Sequence, residues 1–357
     1  MTSPVAEIPS AVLAEGYDVP SIINGTWQLS AGHSQSHFRD ALNLFRQLVD
    51  VGLTTFDCAD IYTGVEELLG RFIGDIRGRA KHADAPIHIH TKCVPDLANL
   101  STLTAKDITL VVDRSLRRLG VEQLDLVQLH WWDFAIPGVV DAGRVLSNLQ
   151  QQGKIRNIGV TNFDAPHLEQ LLDAGVPVVS NHVQFSLLDQ RPEHAMLDLC
   201  KRNGVSLLCY GTLAGGFLSD RYLDQPAPSL PLENRSLVKY HLIIEEIGGW
   251  EALQQLLRAL RKTADKHGVS IAAIATRYIL QKPSVAAAIV GVRRPAHIDD
   301  TLRVFSFALD AEDLSLIDSG CGKSSLRGPI YGLERVPGGA HASIMRTNLC
   351  REGSDSS

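Results

Sequence analysis

The sequence predicts an α/β protein, a single (β/α)8 barrel of the TIM type, on three observations. Short apolar runs rich in β-branched residues alternate with longer stretches of helical period, which is the pattern of βα units and a parallel sheet. Eight such runs occur, and successive ones mostly start roughly 25–35 residues apart, room for a helix and a return each time. The chain has 357 residues, ordinary for a barrel that commonly fills about 250 before insertions.

In chain order the strands fall at 21–25, 54–57, 87–92, 124–130, 155–161, 178–184, 205–210 and 286–291. Between them lie amphipathic segments at 38–51, 104–119, 139–151, 167–174, 193–202 and 270–281. Gly120 and Gly153 stand where a C-terminal glycine stop belongs, and Asp164 precedes Pro166 at a helix start. The interval from Tyr210 to Gly291, about 80 residues, is too long for one crossover. It holds an insertion, read as a loop around 225–234 and an extra helix near 250–267. Periodicity alone does not separate a closed barrel from a doubly wound open sheet. Residues 1–15 and 351–357 are polar or small and read as mobile ends, leaving one barrel domain over 16–350.

Apolar residues make up 45% of the chain and charged residues 21%, enough for a sizeable core and unlike a disordered segment. The formal net charge of −6 gives no global basic field for nucleic acid or anionic membrane, so small molecules are the expected partners. The first twenty residues carry no Lys or Arg and no apolar core of signal-peptide length. No run approaches the roughly 18 apolar residues of a membrane span. Cys58, Cys93, Cys200, Cys209, Cys321 and Cys350 show no C-x-x-C and no ligand-like cluster. Reduced thiols in a cytoplasmic protein, with neither a metal site nor a disulfide framework, are the expectation.

In a parallel barrel, functional groups gather at the C-terminal ends of strands. Asp57 closes TTFD, Lys92 closes IHIHTK, His130 closes LDLVQLH, and Tyr62 follows Asp57 by five residues. A buried Lys92 needs an anion, which Asp57 can supply. Tyr62 beside that lysine is expected to have a lowered pKa, because an adjacent cation favours phenolate. His130 would complete a donor pair around a carbonyl oxygen. Each residue also has an ordinary reading: Asp57 as a helix cap, Lys92 snorkelling from the barrel mouth, Tyr62 as packing, His130 as a satisfied core histidine. It is their joint placement at strand ends that favours chemistry.

These segments resemble the aldo-keto reductases. FDCADIYTGVEELLG is similar to the family's Asp-x-Ala-x-x-Tyr segment, Thr91-Lys92 to its lysine strand, and QLHWWD to its histidine strand. The likeness continues through GKIRNIGVTNF, SNHVQFSLLDQR, CYGTLAGGFL and IVGVRRPAHIDDTL. It implies an NAD(P)H-dependent oxidoreductase that reduces an aldehyde or ketone, reversibly. Tyr62 would be the general acid, Lys92 and Asp57 would tune it, and His130 would orient the substrate.

The resemblance also implies cofactor contacts. Thr161 and Asn162 would hold the nicotinamide carboxamide, and Tyr210 would stack on its ring. Gly25, Thr26 and Trp27 would line the mouth, and Gly211, Thr212 and Leu213 follow Tyr210 along the cofactor. His182 stands where the family usually has Gln, and Gln184 shares its face by strand alternation. Toward the adenosine end, Gly291, Val292 and His297 replace the usual phosphate-binding residues. Arg293 and Arg294 are nearby substitutes, which favours NADPH over NADH, and the helix starting near Pro295 could add its N-terminus. Asp300, and Asp299 before it, could instead take a ribose hydroxyl. No Gly-x-Gly-x-x-Gly follows the first strand, so a Rossmann site is not indicated. Trp27, Trp131, Trp132 and Phe134 suggest an aromatic pocket, with Tyr62 and His130 at the substrate. A Gly-rich tail, 331–345, could shape selectivity. Two alternatives stay open: a non-catalytic nucleotide-binding subunit of the same fold, and a lyase using Lys92 as a Schiff base.

Overall fold

The structure, a computed structural model, describes residues 8–30, 38–77, 86–193, 195–292, 294–321 and 326–347. It opens on an antiparallel hairpin, β1 (Ser10–Ala14) and β2 (Tyr17–Pro20). Eight parallel strands follow: β3 (Ile22–Gly25), β4 (Thr55–Asp57), β5 (His88–Cys93), β6 (Leu124–His130), β7 (Ile155–Thr161), β8 (Val178–Gln184), β9 (Ser206–Tyr210) and β10 (Val285–Val290). They close in the order β10-β3-β4-β5-β6-β7-β8-β9. The closed barrel, not the open sheet, is therefore the solution, and each strand lies on the apolar run read for it.

The helices are α1 (Phe38–Asp50), α2 (Val65–Arg77), α3 (Ala105–Leu119), α4 (Val139–Gln151), α5 (Ala165–Asp173), α6 (Ala195–Asn203), α7 (Arg235–Glu246), α8 (Gly249–His267), α9 (Ile271–Leu280), α10 (Ala296–Leu302), α11 (Ala311–Cys321) and α12 (Ala340–Ser343). Local chemistry fixes their ends. Thr104 and Asp107 form a reciprocal capping box at the start of α3, which stops at Gly120 in the left-handed region. Asp164 accepts from the His167 amide at the start of α5, with a proline in the first turn. Outward-facing strand residues and the apolar helix faces form the main core. Within it Phe45 of α1, Phe56 of β4 and Phe72 of α2 meet edge to face at 5.0–5.4 Å, each pair worth about 0.5–1.5 kcal/mol beyond its burial.

Helix α2 was not among the segments read as helical, and Gly70 gives a physical reason. A Cβ there would sit 2.5 Å from the Arg118 carbonyl, so glycine is required where α2 crosses the end of α3, although it weakens helix propensity. The insertion before β10 holds two helices where one was read: α7 begins directly after the expected loop, capped by Asn234 accepting from the Leu237 amide.

The expectation of a mobile segment through residue 15 needs correction for the residues described. Leu13, Tyr17 and Val19 of the hairpin are buried against Ile23, Leu126, Leu208, Ala287 and Ile289 inside the barrel. The Tyr17 hydroxyl lies 3.0 Å from His90 Nε2, and Arg156, near the start of β7, donates to the Gly16 carbonyl. The hairpin thus plugs the N-terminal end of the barrel, and polar chemistry is left to the other end. Alternation in Ala11-Val12-Leu13-Ala14 was too short to register as a strand. The expected mobile end at 351–357 lies outside the described residues, as does Cys350. Cys58, Cys93, Cys200, Cys209 and Cys321 are buried free thiols. Among the described residues no helix is long and apolar enough to cross a membrane.

Candidate active site

Strand register brings the predicted residues together. Lys92, the fifth residue of β5, donates to Asp57 Oδ2 at 2.7 Å and to the Cys58 carbonyl at 2.7 Å. Gln128, paired with Lys92 across β5 and β6, donates to the other Asp57 oxygen at 3.0 Å. Both carboxylate oxygens are therefore engaged, and the ion pair is buried. Its charges raise the Lys92 pKa against the effect of burial, so the ammonium persists. Neither the cap reading of Asp57 nor the snorkelling reading of Lys92 describes this arrangement.

Tyr62 sits in the turn after β4, with Lys92 Nζ 5.3 Å from its ring centroid. The expected lowering of its pKa is not what the surroundings produce. Burial pushes the phenol up to about 12, and the opposing pull of Lys92 is offset by Asp57. A cation already paired to a carboxylate presents little net charge to a third group, so desolvation wins. Tyr62 is a protonated phenol throughout the neutral range.

His130 needs a similar correction. Its Nδ1 lies 3.2 Å from the Thr161 carbonyl, which can only accept, so Nδ1 carries the proton. Burial and the Arg335 cation hold its pKa down at about 3. In this neutral tautomer Nε2, which has no partner among the described residues, is an acceptor, not one of two donors to a carbonyl. His130 can take a hydrogen bond from the Tyr62 or substrate hydroxyl.

Along β7, β8 and β9 the side chains interlock. Thr161 Oγ1 lies 2.8 Å from His182 Nδ1, and His182 stacks on Tyr210 at 4.7 Å. Tyr210 donates to Asn162 Oδ1 at 2.9 Å. Asn162 itself has φ of 61°, a backbone conformation Asn tolerates better than most residues. His182 Nε2 lies 3.7 Å from Asp57 Oδ2, but burial and Lys92 hold the imidazole well below its ordinary pKa, so this is no ion pair. Of the two residues read for the carboxamide, His182 lines the cavity, whereas Gln184 donates to Asp189 and does not.

A cavity of about 1260 Å³ runs from this cluster across the barrel mouth, larger than the roughly 300–1,000 Å³ of a single-ligand pocket. Gly25, Trp27, Asp57, Tyr62, Lys92, His130, Trp132, Thr161, Asn162 and Tyr210 line one part. Gly211, Thr212, Leu213, Gly291, Arg294, His297 and Asp300 line the rest. Thr26 is buried beneath the wall, its hydroxyl donating to the Asp57 carbonyl at 2.6 Å. Asp300 accepts from Ser270 at 2.9 Å, and Asp299 is not on the wall. Arg293 lies outside the described residues. Pro295 precedes the seven-residue α10.

Two aromatic residues read for the pocket lie elsewhere. Trp131 is 1% exposed and donates to the Ile136 carbonyl at 3.1 Å. Phe134 stacks on His167 at 3.7 Å and takes the Arg335 guanidinium on its ring at 4.3 Å. Adjacent residues of a chain leaving a strand diverge, so of the three aromatics after β6 Trp132 faces the cavity, its ring edge-on to His130 at 4.3 Å.

The tail after α11 returns to the site. Arg335 donates to the Trp131, Trp132 and Asn162 carbonyls at 2.9–3.1 Å, while Tyr331, Ile344, Met345 and Arg346 join the cavity wall. A buried fork anchors it: Arg191 binds Glu334 at 2.7 and 3.0 Å and Asp189 at 2.7 and 2.9 Å. Sequence reasoning singled out none of Arg191, Lys239, Glu334 and Arg335: Arg191 stood in the LLDQR motif, Glu334 and Arg335 lay within the tail read as shaping selectivity, and Lys239 had no signal. The ion pair holds the Glu334 carboxyl down at about 2. Its stabilisation is thus complete above the ordinary value of 4.5 and is lost as pH falls through about 2. Glu334→Ala is expected to destabilise the fold at neutral pH by about 3 kcal/mol, since breaking a buried pair strands its partner. Urea unfolding measures it, and an unchanged midpoint would show that the tail is held by other contacts.

The model of the aldo/keto reductase family matches residues 21–320. Aldo-keto reductase YhdN of Bacillus subtilis is 24% identical over 310 residues, 85% of this chain and 90% of that protein. The chloroplastic pyridoxal reductase of Arabidopsis thaliana is 29% identical, over 81% of this chain and 80% of its own. Among solved structures, a thermostable aldo-keto reductase in complex with the inhibitor epalrestat is 26% identical with a TM-score of 0.68, covering 88% of this chain and 100% of that one. The family match spans every barrel strand and the Lys92–Asp57 pair with Tyr62 and His130, so the chain belongs to the aldo/keto reductase family, oxidoreductases that in general reduce carbonyl groups with a nicotinamide cofactor.

Proposed function

We propose that this protein reduces an aldehyde or ketone to an alcohol, with Tyr62 as general acid and NADPH preferred over NADH. The observation that carries this reading is the cavity wall itself. There a protonated Tyr62, the Lys92–Asp57 pair and an unpartnered His130 Nε2 face one space. Cofactor binding is supported by buried polar atoms on that wall that lack partners, His182 Nε2 and Thr212 Oγ1. Thr161, Asn162, His182 and Tyr210 would hold the nicotinamide end, and Gly211, Leu213, Gly291, Arg294, His297 and Asp300 the remainder. Bound there, the reduced nicotinamide supplies the hydride.

The protein supplies the rest. Tyr62 gives its proton to the carbonyl oxygen, and the Lys92 ammonium stabilises the phenolate left behind. His130 Nε2 accepts a hydrogen bond from the hydroxyl nearest it and so fixes its direction. Trp27 and Trp132 supply apolar walls. Lys92 is poorly suited to a Schiff base, because its ammonium is ion-paired with Asp57, two of its donors are engaged and its pKa is raised. The complete set of proton-handling groups argues against a purely binding role.

A nicotinamide absorbance screen over aldehydes and ketones, with both cofactors, tests the reading. The parent should use NADPH more efficiently, and Arg294→Ala should lose about 10- to 100-fold in kcat/KM for NADPH, the weight of one charge-assisted contact. NADH use should change little. Equal use of both cofactors by the parent would sink the preference, and no oxidation of either with any carbonyl would sink the activity.

A further inference from the structure

Lys239, on α7 within the insertion, brings to the cavity a cation that the chemistry above leaves unused. Its Nζ lies 4.9, 5.6 and 5.8 Å from the ring centroids of Tyr210, Tyr240 and Tyr331. Among the described residues its one hydrogen-bond contact is the Tyr210 hydroxyl at 3.5 Å. Among the described residues no carboxylate pairs with it. Lys239 is half-buried, whereas the fully buried cations of this region are matched, Lys92 by Asp57 and Arg191 by Asp189 and Glu334.

An ammonium has three donors, and withdrawing it from water without an anion is costly. Aromatic faces recover only a small part of that cost. Burial accordingly pushes its pKa down to about 8. Glu334 and Asp189 pull it back up from a distance, but both are spent on Arg191, so an anion in contact with the ammonium has to come from outside the chain. Tyr331, which borders Lys239, also lies edge-on to His130 at 5.7 Å, so the ammonium is one ring away from the reacting centre. Arg294 and His297, at the other part of the wall, are not among its contacts. With one of its three donors on Tyr210, the ammonium has two left, the number that matches the two oxygens of a single carboxylate.

We propose that Lys239 is the anion subsite of the substrate pocket, and that the preferred substrates are carbonyl compounds bearing a carboxylate. This rests on the reductase reading above. Lys239 would then determine specificity through substrate binding, acting on KM more than on kcat.

The test compares 4-carboxybenzaldehyde with benzaldehyde as substrates of the parent, Lys239→Gln and Lys239→Arg, alongside NADPH binding by fluorescence. The parent should favour the carboxylate. In Lys239→Gln the ratio of the two kcat/KM values should fall about 10- to 100-fold, chiefly through KM, and Lys239→Arg should restore most of it. An unchanged ratio overturns the proposal. So does a weakened affinity for NADPH with the ratio intact, which would mean that the charge serves the cofactor pyrophosphate. Should the parent reduce neither aldehyde nor any other carbonyl, the reductase reading fails by itself. Benzoate binding, followed by tryptophan fluorescence, then decides: loss in Lys239→Gln upholds the anion subsite, and no loss overturns it.

Discussion

Tyr62→Phe should fold, bind cofactor and lose carbonyl reduction by roughly 10²–10⁴-fold, the range for removing a positioned general acid. Only one hydroxyl is removed, from a side chain held by the turn in which the Tyr62 amide donates to the Ala59 carbonyl. The effect should lie in kcat, because the proton moves during the chemical step. The pH dependence follows from the same site. Burial raises the phenol to about 12, so the acid form is present across the neutral range and no rising limb from Tyr62 should appear as pH is lowered through 9. With His130 at about 3, that imidazole also contributes no limb between pH 5 and 9. Steady-state rates with a neutral aldehyde across that range measure both. A Phe variant with most of its activity and an intact thermal transition would remove Tyr62 from the mechanism.

How much of this was legible in the sequence depends on whether the cause was local. The strands could be read because a parallel strand buried on both faces is a continuous apolar run, and Asp57, Lys92 and His130 because a polar residue ending such a run is conspicuous. The hairpin could not. Tyr17 and Val19 are core residues only because the barrel end above them leaves a space to fill. Trp131 and Phe134 were misplaced because the direction of a side chain in a loop is set by tertiary contacts, here with Ile136, His167 and Arg335. The electrostatic expectations failed for a related reason: sequence proximity supplied the charge of Lys92 but not the depth of Tyr62, and depth decides the sign. Arg191 and Glu334 lie 143 positions apart, beyond any motif. Lys239 was hidden in an insertion whose helix α7, between the loop and the helix that were read there, went unassigned.

Lys92→Met should be inactive even at saturating substrate, with kcat reduced by about 10²–10³-fold, the usual cost of deleting one fixed group that stabilises developing charge. Methionine fills much of the same volume, so packing is nearly kept, but two hydrogen bonds disappear, those to Asp57 Oδ2 and to the Cys58 carbonyl. Asp57 keeps only the Gln128 contact, and its buried carboxylate loses its counter-charge. A modest loss of stability, about 1–3 kcal/mol for a stranded buried group, should accompany the kinetic defect. Asp57→Asn separates the two effects. It leaves the Lys92 ammonium without a balancing charge but keeps the side-chain shape, so it should bind cofactor while turning over slowly. If the lysine acts by stabilising the phenolate of Tyr62, then Tyr62→Phe and Lys92→Met should not be additive, because the second change removes support for a group already absent. Single-turnover rates of the two variants and their combination measure this. A double variant slower than either by the full product of the separate losses would mean that Lys92 acts apart from Tyr62, and near-normal turnover in Lys92→Met would end both the electrostatic role and any Schiff-base chemistry at this lysine.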